Sequence, residues 1–111
     1  MSMSEVRMPE GTVLGAIGDE VIFENETIRV WRLSLPPGGI QPWHKHDMHY
    51  LIVPLTLGEN IMRFSDGRVR ETKETPGEVM WREPGIPHEL ENASKGVYSN
   101  ILIEFKQVVK A

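Results

Sequence analysis

The chain has 111 residues, room for one domain. It carries no cysteine, which excludes a disulfide framework, a thiolate zinc site and a thiol nucleophile together. Its formal net charge is −4 with no block of lysine and arginine, so the basic face that nucleic acid requires is missing.

The first twenty residues carry no clear strand signal. They are expected to form an N-terminal arm (1–20), partly disordered, ahead of a single barrel domain (21–111), with at most a short turn between Pro9 and Ala16. Met1 to Pro9 contains no apolar signal core. Val21-Ile22-Phe23 reads as a first strand. Thr27 to Leu35 is β-branched and aromatic with partial alternation, and Pro36-Pro37-Gly38-Gly39 stops it as a turn. Tyr50 to Leu57 is the next strand and the longest apolar stretch. Broken by Pro54 and Thr56, it is far too short to span a bilayer. Ile61 to Phe64 leads into Asp66-Gly67, the best hairpin signal in the chain, and Arg68 to Glu74 returns as a polar edge strand. Pro76-Gly77 turns the chain into Val79 to Arg82, Pro84-Gly85 turns it again, and Val97 to Phe105 closes the sheet. Ten glycines and eight prolines punctuating short β-rich runs are the pattern of an all-β sandwich or barrel. The expectation is a soluble, cytoplasmic protein with no membrane and no nucleic acid among its partners.

The chain has only four histidines: His44, His46, His49 and His88. Three fall within WHKHDMHY. Residues at i and i+2 on a strand share a face, so His44 and His46 can reach one ion. His88 follows a Pro/Gly turn from which a neighbouring strand could bring it to the same point. Neutral imidazoles suit zinc, iron, copper, nickel or manganese. His49 stays open between a fourth ligand or base on the face of Leu51 and Val53, and an outward residue capping the strand. Tyr50 is either core or a cavity residue whose hydroxyl meets a substrate. Arg63 and Arg82 lie in expected strands, where either could hold a substrate carboxylate inside the barrel or point outward on a solvated face. Trp31, Trp43 and Trp81 are buried or interface residues by default, with a pocket lining as the alternative.

These residues resemble the cupin superfamily. Its first motif is glycine, five residues, His-x-His, three or four residues, glutamate, six residues, glycine. Gly38, His44, His46 and Gly58 keep that spacing. Its second motif is glycine, five residues, Pro-x-Gly, two residues, histidine, three residues, asparagine. Gly77, Gly85, His88 and Asn92 keep it, with Glu83 in the proline position. Asn92 is expected to serve the turn after His88. The stretch is also similar to small single-domain cupins that read H-x-H-x-x-[D/H]-Y followed by V-P-L-T.

The resemblance implies an all-β cupin double-stranded β-helix, a jelly-roll barrel. It implies one divalent transition metal, iron first and manganese, zinc, nickel or copper as the others, held by His44, His46 and His88 with His49 as a possible fourth. The glutamate of the first motif falls on Tyr50 or Leu51, neither of them a carboxylate. Three neutral imidazoles leave the ion its full charge, which favours anionic, chelating ligands. Cupins with such a site include oxygen-using enzymes that cleave diketones or oxidise thiols. The implied function is a metal-dependent enzyme on a small organic acid or dicarbonyl, either a dioxygenase-like oxidoreductase or a lyase or isomerase, with Tyr50 and Arg63 as catalytic candidates. A non-catalytic binding module with a structural or ligand-anchoring metal is the alternative. A homodimer, paired through exposed edge strands, is expected.

Overall fold

A computed structural model describes residues 7–106. It contains nine strands and no helix among those residues. In chain order they are β1 (Glu20–Glu24), β2 (Ile28–Leu35), β3 (Ile40–His44), β4 (His49–Pro54), β5 (Gly58–Phe64), β6 (Val69–Glu74), β7 (Met80–Arg82), β8 (His88–Asn92) and β9 (Tyr98–Phe105). They pair throughout as antiparallel neighbours in two sheets, one ordered β1-β2-β9-β4-β7 and the other β3-β8-β5-β6. The sheets face each other as a double-stranded β-helix, the fold class that the motifs imply.

The apolar runs became strands where the pattern places them. Two strands, β3 and β8, arise where no apolar alternation marks one. The Tyr50 strand stops at Pro54, whose ring cannot donate to a ladder. The hairpin at Asp66-Gly67 forms because Gly67 takes φ 95°, a conformation that side chains disfavour. Gly67 N donates to Phe64 O and Phe64 N to Arg68 O, both at 2.8–2.9 Å. The returning β6 is an outer strand of its sheet.

Residues 7–19 lie along the barrel without forming a strand. Their one turn is Pro9–Thr12, closed by Thr12 N donating to Pro9 O at 3.2 Å. Gly15 N donates to Trp43 O at 2.7 Å, and Gln41 Nε2 donates to Ile17 O, so the segment is tied to β3. The start of the expected arm, residues 1–6, and the end of the expected barrel domain, residues 107–111, lie outside the described residues.

The interior is built from Leu33, Leu35, Trp43, Tyr50, Leu90, Tyr98 and Leu102 together with an unusual share of polar groups. Glu74 is buried with Tyr98 Oη donating to its Oε1 at 2.7 Å and Asn60 Nδ2 donating to its Oε2. Asn100 Nδ2 completes the chain by donating to Tyr98 Oη at 2.8 Å. Burial, reinforced by the neighbouring carboxylate, pushes the Tyr98 phenol far up, which keeps it a proton donor. Gly58 lets this ring sit flat against the backbone, because a Cβ there would lie 2.5 Å from Tyr98 Cδ1. Asn92, fully buried, donates to Leu35 O at 3.0 Å and to Gly96 O at 2.8 Å and accepts from Ser94 N, which fixes the β8–β9 turn.

Candidate metal centre

β3 ends on His44 and β8 begins on His88, and the two are direct partners in the antiparallel ladder. Phe64 of β5 is the partner of His88 on its other side, so one row across the sheet reads His44, His88, Phe64. Directly opposed residues share a face, which here is the interior. His46 lies beyond the end of β3, in the connection to β4, yet it turns to the same side. The ring centroids are 5.0 Å apart for His44 and His46, 4.5 Å for His44 and His88, and 5.1 Å for His46 and His88. One nitrogen from each ring lies within 4.8 Å of the others, and all three residues are buried.

His44 Nδ1 donates to Pro42 O at 2.7 Å, which fixes its tautomer and leaves Nε2 as the lone-pair nitrogen. His46 Nδ1 is buried with no hydrogen-bond partner among the described residues. Burial, and then repulsion from His44 and His88, push the His46 imidazole down to about 2. Burial, then His44 and Arg70, push His88 down to about 3, and burial lowers His44 too. All three rings are therefore neutral at neutral pH, the state in which imidazole binds a metal.

Tyr50, on β4 of the opposite sheet, stacks on His46 with centroids 3.9 Å apart and planes 15° apart. Burial raises its phenol to about 12 against the opposing pull of Arg82 and Arg70, so it is a neutral hydroxyl. Beside His46, Tyr50 and His88 opens a cavity of about 320 Å³, lined further by Met62, Phe64, Arg68, Arg70, Arg82 and Ile86. A larger hollow of about 730 Å³ lies at the other end of the barrel among the β4–β5 and β8–β9 loops. Its buried titratable group, Glu74, is already engaged by Asn60 and Tyr98. The smaller cavity is the one beside the histidines.

No family model matches the chain. It is similar to the beta-alanine degradation protein BauB of Pseudomonas aeruginosa, 30% identical over 74 residues that make up 67% of this chain and 77% of that protein. It is also similar to the crystal structure of a cupin domain from Bordetella pertussis Tohama I. That likeness has 32% identity and a TM-score of 0.75, over 86% of this chain and 98% of the other. The chain is a cupin. A more distant likeness, to the polyketide cyclase RemF of Streptomyces resistomycificus, has 19% identity and a TM-score of 0.58 over 75% of this chain and 57% of that one, and shows the fold alone.

In this cupin the position of the motif glutamate resolves into an inward Tyr50 and an outward Leu51, which pairs with Ile103 and Trp81. The residues present fit a divalent transition metal: three neutral imidazoles converge, one with its tautomer fixed by a backbone carbonyl and one with an orphaned buried nitrogen.

His49 does not join them. It shares a face with Leu51 and Val53, as one of the two readings required, but that face is the outer one, and its ring stacks on exposed Trp81 at 5.4 Å. The strand begins at His49, so alternation sends His49 out and Tyr50 in. Arg63 is likewise not a cavity residue. It lies on the outer face of β5, where its guanidinium donates to Glu91 at 2.8 Å and to Glu89 at 3.4 Å. Its strand neighbours Met62 and Phe64 face the cavity instead. Trp43 is buried, Trp31 is partly buried and donates to Glu104 Oε1 at 2.5 Å, and Trp81 lies on the outer face.

Arg82 does reach the cavity, as the partner of Tyr50 across the β4–β7 ladder. Arg68 and Arg70, not singled out in the sequence, line it as well. Their signal was present: two arginines at i and i+2 directly after an Asp-Gly turn must share a face.

Proposed function

We propose that this cupin is a metal-dependent enzyme acting on a small organic acid or dicarbonyl, with oxidation by dioxygen as the leading reaction class. The observation that carries the reading is the convergence of one nitrogen each from His44, His46 and His88 within 4.8 Å, buried beside an open cavity. These three residues hold a divalent transition metal, iron first among the candidates, with manganese, zinc, nickel and copper after it. A bound ion of this kind supplies Lewis acidity and, for iron, access to dioxygen chemistry.

The chain's own groups do the rest. Pro42 O holds the His44 ring in its tautomer. Tyr50, neutral and stacked on His46, offers a hydrogen bond to a substrate oxygen at the mouth of the cluster. Met62, Phe64 and Ile86 give the cavity an apolar lining that limits water around a bound substrate. The name of the Pseudomonas relative, which concerns degradation of a small amino acid, is in keeping with a small acid as substrate.

Metal analysis of protein purified without a histidine tag, followed by oxygen uptake with diketones, keto acids and thiols, tests the reading. The expected result is one equivalent of metal and uptake with at least one substrate class when iron is loaded. Metal binding without uptake or turnover under any of the five metals would make the protein a binding module instead.

We further propose that two copies pair through the outer face of the five-stranded sheet in the cytoplasm. That face carries Phe23, Val30, Ile103, Leu51 and Trp81 in one cross-strand row, flanked by Ile101, Val53 and Phe105. A sheet that faces water carries polar side chains there. At the rim, Arg32 and Glu20 form an ion pair at 2.8 Å, so both signs of charge are on hand for the same patch of a second copy. Among the described residues no helix is long and apolar enough to cross a membrane.

A further inference from the structure

The cavity beside the histidines is lined by three arginines and a single carboxylate, Glu83, in a chain whose net charge is −4. Most arginines of this molecule are spoken for. Arg29 pairs with Glu24, Arg32 with Glu20, Arg63 with Glu89 and Glu91, and Arg68 with Asp66. Arg70 and Arg82 have no carboxylate partner among the described residues. Arg82 instead donates to the carbonyl of its neighbour Trp81 at 3.0 Å and contacts Met80 Sδ at 3.6 Å.

The two come from opposite sheets. Arg82 is on β7 as the partner of inward Tyr50, and Arg70 is on β6 as the partner of Met62, another residue lining the cavity. The Arg70 guanidinium lies 5.2 Å from the centre of the Phe64 ring, whose other neighbour is His88 at 5.7 Å, edge to face. Arg68 sits on the same ring at 4.9 Å. Phe64 thus holds Arg70, with Arg68, at a set place relative to His88, while Arg82 is set by its ladder pairing with Tyr50. Glu83 lines the cavity too but forms no ion pair with either arginine among the described residues, so two planar donor forks stay available to an anion from outside.

We propose that Arg70 and Arg82 are the two jaws of a carboxylate clamp, which makes the ligand a small organic acid whose acid group lies between them while its other oxygen function faces His44, His46 and His88. This deepens the proposed function and rests on its reading of the cavity as the substrate's place. Met62, Phe64 and Ile86 line the cavity with the arginines and histidines, which suits a short carbon skeleton. The volume of about 320 Å³ is near the lower end of the roughly 300–1,000 Å³ of small-molecule sites.

The test is a titration of the full chain with malonate and with its uncharged diamide, followed by NMR, both zinc-loaded and metal-free, in the wild type and in Arg70→Gln, Arg82→Gln and the double variant. Zinc keeps the measurement free of redox turnover. Each single variant is expected to weaken malonate about tenfold or more, the loss of one charge-assisted contact, and the double variant further. Binding of the diamide is expected to stay unchanged across the series. Malonate binding that is equal in wild type and in a folded double variant, or absent from wild type in both states, overturns the clamp. Metal stoichiometry, measured on the same samples, separates this from failure of the metal reading. A wild type that takes up no zinc but loses malonate binding on arginine substitution would keep the clamp and remove the metal.

Discussion

His44 and His88 are direct partners at one end of the β3–β8 ladder, with ring centroids 4.5 Å apart and ring planes perpendicular. The ladder itself places two residues far apart in sequence at one point, and His46 needs only the same side of the chain to join them. Removing any of the three leaves two imidazoles, a donor set that holds a transition metal poorly. His44→Ala, His46→Ala and His88→Ala are each expected to lose stoichiometric metal, as read by elemental analysis after dialysis. His49→Ala is expected to retain it, because that ring stacks on Trp81 on the other side of β4. Equal loss from all four variants would sink the three-histidine assignment.

Much of this was legible. The hairpin at Asp66-Gly67 and the strands β1, β2, β4, β5, β6, β7 and β9 follow from apolar runs and turn residues. The two strands that carry the site do not. β3 and β8 turn histidine, glutamine and asparagine inward, so the alternation that marks a strand is erased where the function lies. HELEN carries no apolar alternation, yet His88, Leu90 and Asn92 are its buried face. The spacing of the cupin motifs located His88 where periodicity could not. The same cause misplaced Arg63: without the bounds of β8, nothing indicated that Glu89 and Glu91 wait for it on the outer face.

Tyr50 is expected to separate metal holding from substrate handling. Tyr50→Phe keeps the ring stacked on His46 and removes only the hydroxyl. Metal content and thermal stability should stay near wild type while turnover or ligand affinity falls about tenfold, the worth of one buried hydrogen bond to a charged or polarised oxygen. Tyr50→Ala should instead destabilise the barrel by about 3–5 kcal/mol through the cavity left behind. An unchanged Tyr50→Phe enzyme would relegate the residue to packing.

The histidines predict a pH dependence of the metal-free protein. Each folded-state pKa lies below that of the unfolded chain, to about 2 for His46 and about 3 for His88, with His44 also lowered. Between those values and about 6.5 the unfolded state therefore binds more protons than the native one. Stability should rise with pH through that window and flatten above about pH 7, with a slope of up to about 1.4 kcal/mol per pH unit for each histidine. Denaturant unfolding from pH 4 to 8 reads it. His88→Gln should flatten the profile, and a flat wild-type profile would show that the rings are not buried as neutral groups.

At the far end of the barrel, Gly58 and Tyr98 make a contact that tolerates no side chain, since an added Cβ would come within 2.5–2.8 Å of ring carbons. Tyr98 cannot swing away without releasing Glu74 and Asn100, which it joins at 2.7 and 2.8 Å. Gly58→Ala is expected to cost about 1–3 kcal/mol by overpacking. Tyr98→Phe should cost a similar amount, by stripping a buried carboxylate of one donor. Metal content should survive both in the folded fraction, because the histidines are at the opposite mouth. Loss of metal in a fully folded Gly58→Ala protein would show that the two ends are coupled.

β9 carries apolar side chains on its outer face as well as its inner one. Tyr98, Asn100, Leu102 and Glu104 face in, while Ser99, Ile101, Ile103 and Phe105 face out. Its neighbours match it on the outside, with Val30 of β2 and Leu51 of β4 directly beside Ile103. The proposed pairing therefore uses this sheet face in place of the edge strands, with β1 contributing Phe23 at 52% exposure. Burying such a row against its two-fold copy removes apolar area worth about 25 cal/mol per Å². Ile103→Lys places a charge at the centre of the row and, on both copies, opposes like against like. Light scattering after size exclusion should give a dimer for wild type and a monomer for Ile103→Lys, with metal content unchanged. A wild type that is monomeric at tens of micromolar, or a variant that remains dimeric, would mean that the face is covered by something other than a second copy.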